Sequence, residues 1–530
     1  MIDIEAVKKA IELTQEGKYK EAEELYLNLV EQYPNESALL SAFGLFYVNI
    51  KDYDKAVIYL QKACEIKETI GTVASLGFAE CERKHYATAA TILEYALTLG
   101  NNIDVYNKLI YCYFEIGNFS KAAEYTEKMN ELYPNESKSV ANKVKALTQT
   151  GKLIEAKHVC TDYLKDNPKD PILWYHLGLL KELIYSDDRQ AIECYKLAGE
   201  YGNIGAEYNI GVAYQKLGEY EEAEKHYKKF LETMPDDNNA NVSLGLCYLT
   251  QKKFKQGYEL VYNRKNSYAK QLTKNLWIPN TELDKELVIL PDQGFGDNIQ
   301  FVRYIPFLKE HNIKVAASKQ LIGLFKSNYP DIEFIYPNEI NPETQALRIT
   351  DLAYALNMDF DNIPFADGYL NIEPANIENN KLKVGLCWEA GSAGIRGMID
   401  RTIHIKCFES VLNLDNIQVY SFQYTDTLNG NEKYPQMINL AKDFKDFSDT
   451  ASALKSMDVV ITVDTVIAHL AGALGIKTYL LLPYASDWRW FGGKYSENID
   501  TPWYKSVKIF KQEDHISWEE PINNIIKLLS

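Results

Sequence analysis

The first half of the chain places apolar and polar residues with the period of a helix. Apolar or aromatic residues stand three or four positions apart in segments such as GKYKEAEELY, KDYDKAVIYL, GNFSKAAEYT and GEYEEAEKHY. Small residues recur at steps of 32 to 35 residues, at Ala22, Ala56, Ala89, Ala122, Ala156, Ala191, Ala223 and Gly257. A period of this length predicts an array of helix pairs.

From about residue 286 the pattern changes to short apolar runs separated by loops and helical segments. Residues 287–290 and 313–317 predict the first two strands, with a helix from about Asp297 between them. Later, VVITV (459–463) is followed by a helical segment of about ten residues, a break at Gly475 and the strand 477–482. Strands that alternate with helices predict parallel sheets.

These changes of pattern predict four segments. A helical array occupies residues 1–265, and a polar connector occupies 266–285. Two sheet domains follow, one over 286–378 and one over 379–530. The fold class is therefore an α-solenoid followed by an α/β pair of sheets.

Composition narrows the classes of function. The chain has 530 residues, 46% of them hydrophobic, and a formal charge of −17, which disfavours binding to nucleic acid or to an anionic membrane surface. It contains no run of eighteen apolar residues and no basic leader, so we expect a soluble, cytoplasmic protein. Eight cysteines without a CxxC pair, and eight histidines without HExxH, predict buried thiols in a reducing compartment and no metal site.

The periodic half resembles the tetratricopeptide repeat, with seven repeats and a truncated eighth that ends near Arg264. Such helix pairs stack because one pair cannot bury its apolar face alone. The resemblance implies a concave surface that holds an extended peptide or a partner protein; a spacer or dimerisation arm is the alternative. The animal protein O-GlcNAc transferases, whose architecture this chain resembles, repeat an asparagine at one inner-face position. Here that position holds Lys8, Ala42, Ser75, Lys108, Asn142, His176, Asn209 and Ser243, so no asparagine ladder is predicted.

Polar residues stand at one strand–helix junction of the second sheet domain. Asp464 and Thr465 follow a buried strand directly, and His469 comes one turn into the next helix. Free N–H groups and the helix dipole attract anions at such a junction, which favours a phosphate site. The alternative is that Asp464 or Thr465 only caps the helix and that His469 is an ordinary core residue.

The last 230 residues or so resemble the ADP-heptose:lipopolysaccharide heptosyltransferase family, and more closely bacterial proteins that fuse tetratricopeptide repeats to such a domain. The matching segments are DQGFGDNIQFVRYIP, VGLCWEAGS, DRTIHI, DFSDTASALKSMDVVITVDTVIAHLAGALG, PYASDWRW and TPWYKSVKIFKQ. The resemblance implies a GT-B pair of Rossmann-like domains, the first on the acceptor side and the second on the nucleotide-sugar side. Some of these fusion proteins are thought to glycosylate flagellin, which favours a protein acceptor.

The resemblance assigns a catalytic base to the first sheet domain. Asp297, in a loop with Gly294 and Gly296, occupies the place of the family's catalytic aspartate. A carboxylate there would take the proton of the acceptor hydroxyl. The alternative is that Asp297 is the N-cap of the helix that follows.

The resemblance assigns the donor diphosphate to the second sheet domain. Asp464, Thr465 and His469 match the family's motif, whereas Val466 replaces its glycine. Arg401 occupies the place of a basic residue that offsets phosphate charge, so that no metal or other cofactor is needed. A solvated surface arginine is the alternative, and Arg396 is a weaker candidate.

Two further motifs contain residues that could contact a ligand or a metal. Trp488 and Trp490 would lie at the rim of the site and stack on a base or sugar, unless they pack a domain interface. Asp359 and Asp361 form a DxD sequence like that of metal-dependent transferases, but in a loop-like stretch, which makes it a poor candidate.

The sequence thus predicts an inverting, metal-independent glycosyltransferase of hexosyl or heptosyl type. It would move a sugar from a nucleotide-diphosphate donor to a hydroxyl of a protein held by the repeats. The alternatives are a glycan or lipid-core acceptor, or a scaffold that binds a nucleotide sugar without catalysis.

Overall fold

The computed structural model describes residues 3–262, 272–274, 276, 286–292, 294–390, 401–484, 486–491, 500–513 and 517–529. The chain divides into two compact units, Met1–Ala206 and Glu207–Ser530. Arg264 and most of the predicted connector at 266–285 lie outside the described residues.

Residues 4–262, all of them described, form sixteen helices that follow one another as eight pairs. The helices are α1 (Ile4–Gln15), α2 (Tyr19–Gln32), α3 (Ser37–Asn49), α4 (Tyr53–Ile66), α5 (Ile70–Glu82), α6 (Tyr86–Thr98), α7 (Ile103–Ile116), α8 (Phe119–Leu132), α9 (Ser137–Gln149), α10 (Leu153–Asp166), α11 (Pro171–Tyr185), α12 (Asp188–Glu200), α13 (Gly205–Lys216), α14 (Tyr220–Thr233), α15 (Asn238–Thr250) and α16 (Phe254–Tyr262). The predicted array of helix pairs is confirmed. The described part of α16 has nine residues and reaches the last described residue of this segment, Tyr262.

Glycines in the first helix of a pair let the second helix approach closely. A Cβ atom at Gly44 would lie 2.5 Å from Cγ of Leu60, and one at Gly178 would lie 2.5 Å from Cε1 of Tyr195. Both large side chains are fully buried. The recurrent glycine therefore makes room for a large side chain of the partner helix.

The turn inside each pair contains one residue with positive φ. These residues recur with the period of the repeat, at Gly17, Lys51, Lys84, Gly117, Gly151, Ser186, Gly218 and Lys252. An L-residue with a side chain is strained in the left-handed region, and glycine is not. Four of the eight turns thus carry a residue that the backbone conformation disfavours.

The first sheet has four parallel strands in the order β3-β2-β1-β4. The strands are β1 (Leu287–Leu290), β2 (Ile313–Ala316), β3 (Glu333–Ile335) and β4 (Ala346–Arg348), and the helices are α17 (Phe295–Phe301), α18 (Ile322–Asn328) and α19 (Leu352–Ala355). Short 3-10 helices span Val302–Leu308, Pro337–Glu339, Ile349–Asp351 and Phe360–Asn362. β1 is central, with Val288 opposite Lys314 of β2 and Ala346 of β4.

The second sheet has seven strands in the order β10-β11-β9-β8-β5-β6-β7, and only β10 runs antiparallel to its neighbour among them. The strands are β5 (Leu382–Cys387), β6 (Ile417–Ser421), β7 (Ile438–Asn439), β8 (Val459–Val463), β9 (Thr478–Leu482), β10 (Asp500–Thr501) and β11 (Tyr504–Lys511). The helices are α20 (Glu409–Leu412), α21 (Gly430–Lys433), α22 (Phe447–Lys455), α23 (Val466–Ala473) and α24 (Glu519–Leu529), with 3-10 helices at Ile405–Phe408, Ala441–Asp443 and Trp488–Trp490. The predicted parallel sheets are present.

The last helix pair packs on the sheet region inside the second compact unit. The ring of Phe254 lies 6.3 Å from Trp488 and 6.5 Å from Trp503, and the ring of Tyr258 lies 6.0 Å from Trp488. These contacts explain why α15 and α16 belong to the same compact unit as the sheets. The domain limits at 265, 285 and 378 stay predictions.

The structure also gives the state of the cysteines and shows whether a described helix could span a membrane. All eight cysteines are free thiols; six are buried, Cys64 is half-buried and Cys407 is exposed, so the expected burial fails for Cys407. Among the described residues, we find no helix whose length and hydrophobicity would allow it to cross a bilayer.

Candidate functional site

The strand order reverses at one point in each sheet. In the first sheet the reversal lies between β1 and β4, and in the second it lies between β5 and β8. Ligands of open α/β sheets bind at such points, beyond the carboxyl ends of the strands. Asp292 and Thr350 follow the first pair of strands and are joined by a 2.8 Å hydrogen bond from Thr350 Oγ1 to Asp292 Oδ2. Asp464 follows β8 in the second sheet.

The two reversal points come together through α17 and α23, which pack against each other. Gly296 lies against the His469 ring: a Cβ atom at Gly296 would be 2.8 Å from His469 Cδ2. The structure therefore brings together the two groups of residues that the sequence predicts for the base and for the diphosphate.

Asp297 lies in the first turn of α17 and does not cap it. The N-cap is Gly294, which has no side chain to accept a hydrogen bond. A Cβ atom at Gly294 would lie 2.6 Å from Asp297 Oδ2, so the glycine leaves room for the carboxylate. The alternative interpretation of Asp297 as the N-cap is wrong.

Asn298 fixes the loop before α17. Its Nδ2 donates to the backbone oxygens of Asp292, at 2.8 Å, and Gly294, at 2.7 Å, while its Oδ1 accepts from the Asp292 N–H at 3.1 Å. Asn298 is not among the residues predicted from the sequence, although an amide directly after Asp297 is the type of side chain that holds a tight loop.

Arg489 is the ion-pair partner of Asp297. Its Nη2 pairs with Asp297 Oδ1, Nη1 pairs with Asp487 Oδ1 at 2.7 Å, and Nε donates to Gln300 Oε1 at 3.0 Å. Arg489 is not among the residues predicted from the sequence, although it stands between Trp488 and Trp490 in the segment PYASDWRW, which carries the family resemblance.

Burial and charge act on Asp297 in opposite directions. Burial raises the pKa of Asp297, the Arg489 guanidinium lowers it, and the carboxylates of Asp292 and Asp487 raise it, with a net increase above the ordinary value. A raised pKa makes a carboxylate a stronger base once it is ionised.

Asp464 and Arg401, both predicted for the diphosphate site, lie next to each other. Arg401 Nη1 is 3.8 Å from Asp464 Oδ2 and 3.4 Å from the Asp464 backbone oxygen. Trp490 Nε1 donates to Asp464 Oδ1 at 2.9 Å. Burial raises the pKa of the Asp464 carboxyl, and Arg401 opposes this increase. Arg396 lies outside the described residues.

Thr465 is the N-cap of α23. Its Oγ1 accepts from the Ile467 N–H at 3.3 Å, and Val466 is the first residue of the helix. The capping alternative is therefore observed for Thr465. A cap occupies only one backbone N–H, so this role is compatible with an anion at the same helix end.

His469 is buried and neutral. Its Nδ1 lies 3.1 Å from Tyr504 Oη, and its ring stacks on Trp490 with 5.1 Å between centroids. Burial, assisted by the cations Arg489, Arg303 and Arg401, holds the pKa of His469 well below its usual value. The histidine can therefore offer a hydrogen bond to a ligand but not a positive charge.

Both candidate rim tryptophans are buried. Trp488 is 6% exposed and Trp490 is 1% exposed. Trp488 packs on Phe254 and Tyr258, and Trp490 lies between His469 and Asp464. The structure thus places neither ring at a rim, because both pack interfaces inside the second unit. Asp359 and Asp361 belong to no group of three or more possible metal ligands among the described residues.

Arg303 is a second cation that the sequence analysis missed. It is fully buried and donates to the backbone oxygens of Gln300 and Trp503, both at 2.9 Å. Its guanidinium lies 4.5 Å from the ring centroid of Tyr369 and 4.7 Å from that of Tyr504. These contacts hold together the segments that surround Asp297 and His469.

Known proteins resemble this chain in two ways. Tetratricopeptide repeat models match residues 38–70, which include α4 and all but the first residue of α3, and residues 205–237, which include α13 and α14. Protein FlbA of Caulobacter vibrioides is 24% identical over 542 aligned residues, which cover 91% of this chain and 88% of that protein. Anaphase-promoting complex subunit 3 of Schizosaccharomyces pombe is 23% identical but covers only 37% of this chain and 36% of its own length.

Solved structures resemble the chain over about half its length. A tetratricopeptide repeat protein from Parabacteroides merdae is 16% identical, covers 46% of this chain and 97% of its own, and has a TM-score of 0.41. Yeast Tom70 is 16% identical, covers 48% of this chain and 56% of its own, and has a TM-score of 0.42. Two of the eight helix pairs thus match tetratricopeptide repeat models. The alignment with FlbA extends beyond the helix pairs into the parallel sheets.

Proposed function

We propose that the chain is a glycosyltransferase that moves a sugar from a nucleotide-diphosphate donor to a hydroxyl group of a protein acceptor bound by the repeats. The two sheets would form a GT-B pair of Rossmann-like domains. The observation that carries the proposal is the meeting of the two strand-order reversals, with Asp297 on one side and Asp464 and Arg401 on the other. The resemblance to the heptosyltransferase family leads to the same reaction.

The reaction would be a single displacement with inversion. The acceptor oxygen forms a bond to the anomeric carbon, the bond from that carbon to the diphosphate oxygen breaks, and Asp297 takes the hydroxyl proton. The raised pKa of Asp297 suits this task, because it strengthens the base. Arg489 would orient the carboxylate through their ion pair.

The diphosphate would bind beside Arg401 and the N-terminus of α23. The Arg401 side chain is 28% exposed, so its guanidinium is within reach of a ligand while Asp464 holds it in place. The backbone N–H groups at the helix start add positive potential. Together they would stabilise the charge that develops on the leaving diphosphate.

One observation favours the alternative of a non-catalytic nucleotide-sugar-binding scaffold. The Asp297 carboxylate already has a cationic partner in Arg489, and a pair that stayed closed would keep the base from the acceptor. A glycan or lipid-core acceptor would leave the chemistry unchanged and alter only the role of the repeats.

The test measures donor binding and turnover separately. Thermal denaturation with a panel of nucleotide sugars identifies the donor, because a bound ligand raises the stability of the native state. Turnover is then followed as release of the nucleoside diphosphate. We expect Asp297→Asn to keep donor binding and to lose turnover by roughly 10²–10⁴.

Asp361→Asn is the matched control, since it removes an exposed carboxylate of the rejected DxD sequence. Binding without turnover in the wild-type protein would support the scaffold instead. Full activity of Asp297→Asn would remove Asp297 from the mechanism.

A further inference from the structure

The first helices of four successive pairs enclose a concave pocket of about 590 Å³ in the first compact unit. Side chains of α5, α7, α9 and α11 line it. Lys108, Asn142 and His176, which occupy the repeated inner-face position, are among them. The repeat period therefore collects polar groups from successive pairs in one place.

The pocket contains one lysine without a carboxylate partner. Lys108 pairs with Glu82 at 3.1 Å, and Lys138 pairs with Asp104 at 2.7 Å. Lys145 forms no ion pair within residues 3–206, all of which are described. Its ammonium lies 4.4 Å from the ring centroid of Phe114 and 5.6 Å from that of Tyr111.

The surroundings keep this positive charge uncompensated. Burial lowers the pKa of Lys145, and the Glu115 carboxylate opposes the decrease from beyond ion-pair distance. The neighbouring His176 stays neutral, since burial and Lys145 lower its pKa to about 4. A half-buried cation of this kind gains most from an anion that enters the pocket, because the pair is then shielded from water.

The rest of the pocket fits a peptide. Asn142 Nδ2 donates to Asn107 Oδ1 at 2.8 Å, which leaves Nδ2 of Asn107 and Oδ1 of Asn142 without a described protein partner. One donor and one acceptor match the backbone of an extended segment. Ile172 and the 39% exposed ring of Tyr111 add apolar surface beside them.

We propose that this pocket binds an extended peptide segment that places a glutamate or aspartate next to an apolar residue, with the carboxylate paired to Lys145. The formal charge of −17 on the whole chain opposes a polyanion such as nucleic acid, so a single acid in a short segment is the better match. This binding role rests on the proposed recruitment of a protein acceptor by the repeats. Peptide binding and sugar transfer are measured separately, so failure of the binding proposal can be distinguished from failure of the proposed function.

The test uses two pools of dodecapeptides, acetylated and amidated to remove terminal charge, with flanks randomised among Ser, Gly, Ala and Thr. One pool has Glu-Leu at its centre, and the other has Gln-Leu. The immobilised full-length protein selects from an equal mixture, and mass spectrometry quantifies the bound peptides. We expect the glutamate pool to be enriched by roughly tenfold or more, as for a charge-assisted hydrogen bond.

Lys145→Met should abolish the enrichment, whereas Lys143→Met, an exposed lysine on the same helix, should keep it. Lys145→Arg, which keeps the charge, should retain most of the preference and guards against a folding defect in the methionine variant. Equal binding of the two pools by the wild-type protein, or the same enrichment in Lys145→Met, would overturn the proposal.

Discussion

Asp297 is half-buried, with a cation on one side and two carboxylates nearby. Arg489 alone lowers its pKa, whereas burial, Asp292 and Asp487 raise it. The protonation of Asp297 therefore depends on a residue 192 positions away in the sequence. This dependence can be measured if Asp297 is the base.

Arg489→Met should move the acidic limb of the activity profile to higher pH. The base acts when ionised, and the loss of the guanidinium raises its pKa further, so a larger fraction of Asp297 is protonated at a given acidic pH. The measurement is kcat/KM for nucleoside diphosphate release as a function of pH. Arg401→Met is the control, because Arg401 pairs with Asp464 and, within the described residues, not with Asp297. This variant should not change the pH of the acidic limb. If the acidic limb of the kcat/KM profile lies at the same pH in Arg489→Met as in the wild type, ionisation of Asp297 does not control the rate.

Arg401→Ala should weaken binding of a nucleoside diphosphate more than His469→Ala does. The arginine supplies a full charge, whereas His469 is neutral at physiological pH. We expect a loss of roughly tenfold or more for Arg401→Ala, and a partial recovery in Arg401→Lys. Calorimetry measures the affinities, and circular dichroism checks the fold of His469→Ala, which loses a buried ring. Equal affinities in the wild type and Arg401→Ala would refute the diphosphate assignment.

Local pattern in the sequence indicates Asp464, which directly follows an apolar strand, whereas Asp297 and Arg401 are assigned through the family resemblance. The sequence could not place Arg489 on Asp297, since that contact joins segments that only the folded chain brings together. The tryptophans show the same limit. Trp490 can stack on a ligand or on His469, and its position in the sequence does not distinguish the two.

At the scale of helices and strands, local pattern was sufficient where a segment is strongly apolar or periodic. β1 and β8 have the limits that the sequence predicts, and α17 begins at Phe295, two residues before the predicted start. The sequence does not predict the strand order of the second sheet, because two-residue strands such as β7 and β10 are too short to show an alternating hydrophobic pattern. Their pairing depends on neighbours already in the sheet.

The turns inside the helix pairs give a prediction for stability. Lys51 has a φ of 63° where other repeats have glycine, and no ion pair of its side chain is seen among the described residues. Lys51→Gly should raise the free energy of unfolding by up to about 1 kcal/mol, because relief of the left-handed strain exceeds the entropy that glycine adds to the unfolded chain.

The measurement is the urea midpoint of the helical circular dichroism signal in the full-length protein. Gly117→Ala is the matched control at the same position of another repeat, where φ is 77°, and it should lower the midpoint. A lower midpoint for Lys51→Gly would show that the lysine contributes a contact that outweighs its backbone strain.

At the scale of the whole molecule, the repeat period revealed all eight helix pairs, since each repeat carries its own copy of the signal. The repeat period does not predict that the two compact units divide at residue 206. The last helix pair packs on the sheet region through Phe254 and Tyr258, which look like ordinary repeat positions and contact Trp488. The repeat period predicts the helices that repeat, but it does not predict the surface on which the last helix pair packs.

Removal of residues 1–135 tests what the early repeats contribute. The deletion removes the α5 and α7 walls of the peptide pocket and leaves the chain from α9 onward. Repeat proteins are held mainly by contacts between neighbours, so the later repeats and the sheets should stay folded. Donor binding should therefore survive, whereas transfer to a protein acceptor should fall sharply, because an extended segment loses several contacts at once.

The deciding quantity is the ratio of protein glycosylation to donor hydrolysis by water, in the full-length and the truncated chain. Hydrolysis uses the donor site without the acceptor, so it reports an intact second unit and corrects for loss of active protein. Truncation also removes α7 and α8, which pack on α9, the helix that carries the buried Val140, Ala141 and Val144. The oligomeric state must therefore be measured at the same time. A lower ratio in a monodisperse truncated protein would assign acceptor recruitment to the early repeats. An unchanged ratio would place the acceptor elsewhere and favour a glycan or lipid-core acceptor, with the repeats as an assembly arm.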